Sequence, residues 1–256
     1  MKYAVCIVPV APIRSNPGHK EEMISQLLFG EGCVIIAADK SGFVNIAVQA
    51  DGYTGWCLAT QLTEIDEAVY LETTGGLAGE WSNVLDCNGQ KMMIPFGSTL
   101  RGLEAGTMSF GKNTFRFSGS MIDPSTVTIT AEMVMQTATI FLNTPYLWGG
   151  RSVFGADCSG FTQMVFKCIN IALLRDARQQ AGQGELVNFL QEARCGDLAF
   201  FDNAAGEIIH VGLLLNDHEI IHASGKVQVD KIDNSGIINA TTGVRTQQLR
   251  IIKRYF

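Results

Sequence analysis

Residues 157–168 read Asp-Cys-Ser-Gly-Phe-Thr-Gln-Met-Val-Phe-Lys-Cys, and they decide the fold of the C-terminal half of the chain. Four apolar residues recur here at the i, i+3, i+4, i+7 spacing of one helix face: Phe161, Met164, Val165 and Cys168. A glycine-rich loop, Trp148-Gly149-Gly150, precedes the stretch. The pattern predicts a helix that begins at or beside Cys158 and packs this face against a core.

The regions around this helix indicate a mixed α+β domain. Upstream, apolar residues at helical spacing predict a helix over residues 130–142. Downstream, three apolar stretches at 197–201, 207–215 and 219–223 are typical of antiparallel strands. We therefore predict an α+β domain over residues 125–256.

The N-terminal half has a different character, with short strand-like segments separated by turn signals. Examples are Asn16-Pro17-Gly18, Asp51-Gly52 and Thr74-Gly75-Gly76. This spacing predicts small β-barrels, one over residues 1–64 and a second all-β domain over residues 65–124. The expected fold is multidomain: two small all-β barrels followed by the α+β domain.

Composition narrows the possible classes of protein. The chain has 256 residues, 46% hydrophobic and 17% charged, which is typical of a globular protein. A net charge of −6 provides no basic surface for nucleic acid. The apolar run at residues 4–11 is too short to span a membrane and makes a poor signal peptide, so we expect a strand. The expected location is the cytoplasm, or the periplasm if the gene start is misassigned, and no obligate protein partner is evident.

Seven cysteines are spread along the chain, and no two form a Cys-x-x-Cys pair. An odd, scattered set disfavours a disulfide framework or a zinc ribbon. We therefore expect no metal and no cofactor. Most of these cysteines have apolar neighbours, where a thiol packs as a small hydrophobic group.

Cys158 differs from the others because it lies at the predicted start of a helix. The unpaired amides of a first helical turn carry partial positive charge, which favours a thiolate. The same amides are placed to stabilise the oxygen of a tetrahedral intermediate. Cys158 is therefore a candidate nucleophile that needs a base.

Two histidines are candidates for the rest of the catalytic apparatus. His210 and His222 lie in two predicted strands joined by the turn residues 216–218. A turn centred on Asn216 would place the two histidines directly opposite each other, with Cβ atoms about 5 Å apart. Alternation then sends Ile209, Val211, Leu213 and Ile221 to the other, apolar face.

The functional hypothesis is a relay in which His210 takes the thiol proton and His222 orients His210. The alternative is metal binding by the two histidines, but no third and fourth ligand with suitable spacing is evident. His19 and His218 have turn-like contexts and are predicted to be solvated loop residues.

Four motifs together resemble the NlpC family of cell-wall cysteine peptidases. They are Pro145-Tyr146-Leu147-Trp148-Gly149-Gly150, Asp157-Cys158-Ser159-Gly160-Phe161, Gly196-Asp197-Leu198-Ala199-Phe200-Phe201 and Ile209-His210-Val211-Gly212. The resemblance covers residues 131–256, and the β-rich remainder looks like two bacterial SH3-like domains. This arrangement is similar to one subgroup, the γ-D-glutamyl-L-diamino-acid endopeptidases or dipeptidyl-peptidases VI.

The resemblance implies a papain-like catalytic domain with Cys158 as nucleophile, His210 as base and His222 as third member. It implies cleavage of the bond between γ-D-glutamate and lysine or diaminopimelate in murein peptides. It also implies a required free N-terminal L-alanine, whose ammonium is held by acidic groups. Release of L-Ala-D-Glu from peptides already detached from glycan would make the enzyme a recycler.

The resemblance further assigns a substrate pocket. Matching positions for the ammonium site are Asp157 and Asp176 in the catalytic domain, and Tyr53 with Glu22, or alternatively Glu21, in the first SH3-like domain. Matching positions near the scissile bond are Tyr146, Trp148 and Ser159. The competing hypotheses are an amidase or acyltransferase on the same scaffold and a non-catalytic wall-binding module.

Overall fold

The computed structural model describes residues 1–72 and 75–256. The chain forms two compact units. Unit 1 comprises Met1–Thr126 with Trp148–Val153, and unit 2 comprises Val127–Leu147 with Phe154–Phe256. Thr74, the first residue of the predicted turn at 74–76, lies outside the described residues.

Unit 1 is built almost entirely of short strands. Its elements are β1 (Lys2–Cys6), β2 (Val10–Arg14), β3 (Met23–Leu28), β4 (Gly32–Ala38), β5 (Phe43–Val48), β6 (Thr54–Leu58), β7 (Leu62–Ile65), α1 (Glu67–Leu71), β8 (Leu77–Ala78), β9 (Ser82–Cys87), β10 (Gln90–Pro95), β11 (Thr107–Phe110), β12 (Asn113–Phe117), β13 (Met121–Ile122) and β14 (Arg151–Ser152).

The strands β1–β7 form one sheet in the order β3-β2-β6-β5-β4-β1-β7. Alternate side chains of β2 and β5 point into its core, as a half-buried strand requires. The predicted strand at residues 4–11 is two strands, β1 and β2, because residues 7–9 interrupt the pairing.

A second sheet follows in the order β10-β9-β12-β11. The ring of Phe29, from the first sheet region, packs against Phe110 and Phe115 with ring centroids 6.1 and 5.0 Å away. Val5 and Leu85 join the same buried cluster. This shared apolar core joins the two β regions into a single compact unit.

Unit 2 contains the helices and a larger antiparallel sheet. Its elements are α2 (Ala131–Thr139), β15 (Gly155–Ala156), α3 (Cys158–Cys168), α4 (Ala177–Gln180), β16 (Glu185–Val187), β17 (Leu198–Asp202), β18 (Ile208–Leu214), β19 (Glu219–Ser224), β20 (Lys226–Asp233), β21 (Gly236–Ile238) and β22 (Arg245–Arg254). The sheet order is β16-β22-β17-β18-β19-β20-β21, and β21 also pairs with β22. Helix α3 is buried along nearly its whole length and contacts β18 and β19.

Helix α2 is shorter than the predicted helix at 130–142. Thr130 caps it, since its hydroxyl accepts a hydrogen bond from the Met133 amide at 3.1 Å. Its last residue is Thr139, and the chain then turns through Asn143, whose φ of 66° is left-handed. The three predicted strands are confirmed as β17, β18 and β19. None of the helices in the described part of the chain is long and apolar enough to cross a membrane.

Candidate active site

Cys158 is the first residue of α3, as the sequence predicts. Asp157 caps the helix, because its Oδ1 accepts a hydrogen bond from the Gly160 amide at 2.7 Å. The cap leaves the thiol at the positive end of an eleven-residue helix. The sequence places Cys158 there because Asp is a favoured capping residue and an apolar helical stripe follows it.

The Cys158 thiol is buried beside β18. The backbone amides of Val211 and Ser159 hydrogen-bond its sulfur, so the thiol lies next to the strand that carries His210. Burial raises the pKa of Cys158 to about 12, and the nearby Asp157 raises it further, whereas the two amides act in the opposite direction. The resting side chain is therefore the neutral thiol.

His210 and His222 form a hydrogen-bonded pair that continues to an aspartate. His210 Nε2 lies 2.8 Å from His222 Nδ1, and His222 Nε2 lies 3.0 Å from Asp230 Oδ2. The exposed fractions of the two histidines are 7% and 1%. The two rings meet edge to face, with centroids 5.1 Å apart.

The register of the histidine hairpin differs from the predicted one. Leu214 pairs with Ile220 and Leu213 with Ile221, so the turn is centred one residue later than Asn216. His210 is therefore a diagonal neighbour of His222 and not directly opposite it, and the predicted direct pairing is wrong. The shift in pairing is two residues, and an even shift keeps both side chains on the same face of the sheet.

The predicted apolar face of β18 is also only partly correct. Val211 and Leu213 are fully buried, but Ile209 is 52% exposed. A shift in pairing between Phe201 and Asp202 of the neighbouring strand lies at this end of β18. Such an irregularity changes the direction of the strand, so strict alternation does not hold there.

Gly212 provides the space that His222 occupies. A Cβ on Gly212 would lie 2.6 Å from Ile220 Cδ1 and 2.9 Å from His222 Cβ. We expect Gly212→Ala to displace His222, to lower the free energy of unfolding by about 1–3 kcal/mol and to lower kcat at least about tenfold. Steady-state kinetics and urea denaturation measure both effects.

The matched control for Gly212→Ala is Gly182→Ala. A Cβ on Gly182 would meet the carbonyl oxygen of Gln179 at 3.3 Å, a contact that a small local movement relieves. We expect this variant to retain wild-type kcat. Equal activity of the Gly212→Ala variant and the wild type would contradict the role given to Gly212.

His210 is held uncharged by its surroundings. Burial lowers the pKa of His210 to about 3, and the neighbouring His222 lowers it further. Cys158 and His210 are therefore both neutral at pH 7. The arrangement favours transfer of the thiol proton as the sulfur attacks, rather than a stored thiolate–imidazolium pair.

Arg175, which was not singled out in the sequence, lies near Cys158. Arg175 Nη2 donates to Asp157 Oδ2 at 2.6 Å and its Nη1 donates to Asp157 Oδ1 at 3.1 Å. The same Nη1 donates to the Ser159 hydroxyl at 3.0 Å. The predicted pocket residues Asp157 and Ser159 are thus buried together, and the charge of Asp157 is partnered by Arg175.

Buried Gln180 connects the segment that contains Arg175 to α3 by hydrogen bonds. Gln180 Nε2 donates to the carbonyl oxygens of Ser159 and Leu174, at 3.0 and 2.9 Å, and Thr162 donates to its Oε1 at 2.8 Å. Asp176, another predicted pocket residue, lies on the same segment at the start of α4 and is half-buried. Long-range side-chain bonds of this kind have no signature in local sequence.

Tyr146 lies near Cys158 in unit 2. Burial raises the pKa of Tyr146 to about 12, and Cys158 and Asp157 raise it further, so the phenol stays protonated. Its backbone amide donates to the carbonyl of Gly225 at 2.9 Å. Tyr146 is therefore close to both Cys158 and Asp157.

Unit 1 contains the other predicted pocket residues. The indole N–H of Trp148 donates to Glu22 Oε1 at 2.8 Å, although 126 positions separate the two residues. Tyr53 packs against the core of the first sheet, and its amide donates to Asp51 Oδ1 at 2.9 Å. Glu21, the alternative to Glu22, instead accepts from the Asn16 side chain at 3.4 Å.

The alternative of a metal held by the two histidines has little geometric support. His210 Nε2 and His222 Nδ1 face each other in a hydrogen bond, so these nitrogens are not free to share an ion. In residues 1–72 and 75–256, no group of three His, Cys, Asp or Glu side chains is arranged to hold a metal ion. All seven cysteines, each within these ranges, are free thiols.

A thiol at a helix N-terminus, beside a buried histidine relay, defines a cysteine hydrolase of the acyl-transfer type. Comparison with known proteins agrees. Residues 143–246 match the NlpC/P60 family, and residues 13–62 match the bacterial dipeptidyl-peptidase SH3 domain.

Two relatives match over most of their length. A γ-D-glutamyl-L-lysine dipeptidyl-peptidase from Bacillus subtilis is 30% identical over 250 residues, which cover 91% of this chain and 81% of the relative. A protein of the same name from Bacillus cereus is 28% identical over 252 residues, covering 86% and 74%. The chain belongs to the NlpC/P60 family of cysteine peptidases, with an SH3-like N-terminal domain.

The fold agrees with this assignment. The crystal structure of an NlpC/P60 family protein from Bacillus cereus superposes with a TM-score of 0.81. It is 21% identical, and the match covers 99% of each chain. The β-rich and catalytic parts of the sequence thus share the architecture of a solved member of the family.

Proposed function

We propose that this protein hydrolyses the bond between γ-D-glutamate and L-lysine or diaminopimelate in murein peptides with a free N-terminal L-alanine. The products are L-Ala-D-Glu and the remaining diamino-acid peptide. The observation that carries this proposal is similarity to γ-D-glutamyl-L-lysine dipeptidyl-peptidases across more than 70% of their length. That similarity includes the β-rich half as well as the catalytic domain.

Cys158, His210 and His222 are the proposed catalytic residues. The Cys158 sulfur attacks the γ-carbonyl carbon of D-glutamate while His210 takes the thiol proton. His210 then gives that proton to the departing amine, and a thioester remains on Cys158. Water, deprotonated by His210, hydrolyses the thioester and regenerates the thiol.

The amides around the nucleophile suit the charge that develops in this reaction. The backbone N–H groups at the start of α3 lie beside the attacking sulfur and are fixed by the Asp157 cap. Such preorganised donors stabilise the oxyanion of a tetrahedral intermediate without reorganisation. We assign Tyr146 and Ser159 to the surroundings of the scissile bond.

The proposed amine-recognition residues are Glu22, Tyr53, Asp157 and Asp176. Arg175 offsets the charge of Asp157, so attraction for an ammonium relies chiefly on the other carboxylates. The bond from Trp148 supports Glu22 over Glu21, because it ties Glu22 to a segment of the catalytic motif. An N-acylated amine has no charge to pair, and the pocket would reject it, as expected of an enzyme that recycles released peptides.

We also propose a three-domain organisation, with SH3-like domains at residues 1–64 and 65–124 and a papain-like domain at 125–256. One buried cluster lies within the sheet β1–β7, and a second is centred on the phenylalanines of β11 and β12. The second cluster also includes Val5 and Phe29, so the two proposed β domains share it.

Mass spectrometry of the protein incubated with L-Ala-γ-D-Glu-diaminopimelate, beside the N-acetylated tripeptide, tests the function. We expect L-Ala-D-Glu from the free peptide alone. Cleavage of both peptides would support the peptidase activity but refute the proposed recognition of a free amine. Cleavage of neither would overturn the proposed substrate and favour the amidase, acyltransferase or wall-binding alternative.

Two adjacent glutamates supply a matched pair of variants for the amine pocket. We expect Glu22→Gln to lower kcat/KM for the free peptide about 10- to 30-fold, because a charge-assisted contact to the ammonium is lost. Glu21→Gln should change it less than about twofold. The reverse order of the two effects would assign the pocket to Glu21.

A further inference from the structure

Asp230 lies at the end of the histidine relay and is itself buried, with 3% of its surface exposed. Its Oδ2 lies 3.0 Å from His222 Nε2 and accepts from the Gln228 side chain at 2.8 Å and more weakly from Asn239 at 3.5 Å. Its Oδ1 accepts from the Ala240 amide at 2.8 Å. Four donors thus converge on one buried carboxylate.

The protonation state of Asp230 follows from these donors. Burial alone would raise the pKa of Asp230, but hydrogen bonds from His222, Ala240 and Gln228 lower it to about 2. The carboxylate is therefore ionised at neutral pH and has no proton to donate. His222 must carry a hydrogen on Nε2 in order to bond to it.

This requirement propagates along the relay. A neutral His222 with its hydrogen on Nε2 has a lone pair on Nδ1, which can only accept. His210 must then donate from Nε2, 2.8 Å away, and its own lone pair is on Nδ1. His210 therefore presents a basic Nδ1 in every arrangement in which His222 is neutral and Asp230 is ionised.

We infer that Asp230 is a positioning residue that acts through His222 to set Nδ1 of His210 as the catalytic base. The inference rests on the proposed role of His210 and assigns the relay a fourth member. Asp230 has no role in the triad that the resemblance implies. Its contribution is to the tautomer and orientation of two rings, because it bonds directly to His222 and acts on His210 through that ring.

The pairing of strands in the sheet places Asp230 beside His222. In the register of β19 and β20, His222 faces Gln228 and Ile220 faces Asp230, so Asp230 is a diagonal neighbour of His222 on the same face. His210 is the diagonal neighbour on β18. The relay therefore crosses three adjacent strands, and the sheet itself fixes its geometry.

Asp230→Asn is the decisive variant. The Ala240 amide needs an acceptor, so the asparagine oxygen should stay there and its NH2 group should face His222. His222 would then accept on Nε2, donate from Nδ1 and force the hydrogen of His210 onto Nδ1. We expect kcat to fall about 10²- to 10⁴-fold while KM changes less than about threefold, as for other wrong-tautomer variants.

The matched control is Asp233→Asn on the same strand. Asp233 is a half-buried aspartate, and its carboxylate accepts two hydrogen bonds from Arg245 and further hydrogen bonds from the Ser235 and Gly236 amides. We expect this variant to keep kcat within about twofold of wild type. A loss equal to that of Asp230→Asn would contradict the inference.

Histidine ¹⁵N chemical shifts give a readout that needs no substrate, and in the wild-type protein it needs no variant either. We expect His222 and His210 both to carry their hydrogen on Nε2, and Asp230→Asn to move both hydrogens to Nδ1. A doubly protonated His222, or His210 protonated on Nδ1 in the wild type, would overturn the inference. So would wild-type kcat in Asp230→Asn.

These measurements separate the inference from the proposed function. The protein could show the expected ¹⁵N pattern and yet fail to cleave the murein tripeptide. That result would refute the proposed substrate and support the positioning role of Asp230. Cleavage of that tripeptide with unchanged tautomers and kcat in Asp230→Asn would retain the function and refute the role of Asp230.

Discussion

Cys158→Ala is expected to abolish turnover, with a loss in kcat of about 10⁵- to 10⁶-fold, while the protein stays folded. Removal of the nucleophile alone has this effect in enzymes whose catalytic residues act as a unit. The substitution removes one sulfur atom at the start of α3 and keeps the Asp157 cap, which holds the helix terminus. Single-turnover assays on the tripeptide and circular dichroism measure the two properties.

Cys168→Ala is the matched control for this experiment. Cys168 is a fully buried thiol at the other end of the same helix, and burial raises its pKa to about 12 as it does for Cys158. Its substitution should lower stability modestly and leave kcat unchanged. A folded, active Cys158→Ala protein, or an inactive but folded Cys168→Ala protein, would remove the assignment of Cys158 as nucleophile.

Arg175→Met is expected to destabilise unit 2 by about 3–5 kcal/mol. Only 1% of the Arg175 surface is exposed, and its guanidinium holds both oxygens of Asp157. Without it, the buried carboxylate keeps its hydrogen bond from the Gly160 amide but loses both charge-assisted hydrogen bonds from the guanidinium. Urea denaturation, followed by a probe in unit 2, measures the change.

The Arg175→Met substitution should also change the reactivity of Cys158, because Asp157, the partner of Arg175, caps the helix that begins at Cys158. We expect the surviving folded fraction to have a lower rate of Cys158 alkylation by iodoacetamide, read at that peptide by mass spectrometry. Arg245→Met is the control, since Arg245 pairs with Asp233 at the surface and solvent screens that pair. Its denaturation midpoint should barely move. Equal midpoints for the two variants would contradict the structural role of Arg175.

Local features of the sequence were sufficient to predict α3 and the position of Cys158 at its start. An aspartate cap, a cysteine and an apolar stripe at helical spacing all lie within twelve residues, and the physics of a helix start acts over that distance. The same holds for β17, β18 and β19, whose apolar stretches are continuous. It also holds for the shared face of the two histidines, because alternation along a strand survives an even shift in pairing.

The tertiary structure decided the register of that hairpin. The turn residues 216–218 accommodate a centre on either Asn216 or the next residue, and local sequence does not distinguish them. Contacts across the sheet distinguish the two registers, because Gly212 leaves room for His222 at a position where a larger residue would collide with it. The diagonal approach of the two rings, and hence the 2.8 Å bond between them, follows from that choice.

Local sequence patterns likewise could not predict the roles of residues whose partners are distant in the sequence. Asp230 and Arg175 were not singled out in the sequence, and each meets its partner only when strands or loops are packed together. In the unfolded chain, water competes for the guanidinium of Arg175 and the carboxylate of Asp230. Only burial removes that competition and gives each group a defined partner in the protein. Sequence by itself therefore determined the family, the helix and the place of Cys158 at its start. The folded chain determined which buried charges surround that thiol and which proton positions they allow, because these depend on distances across the sheet.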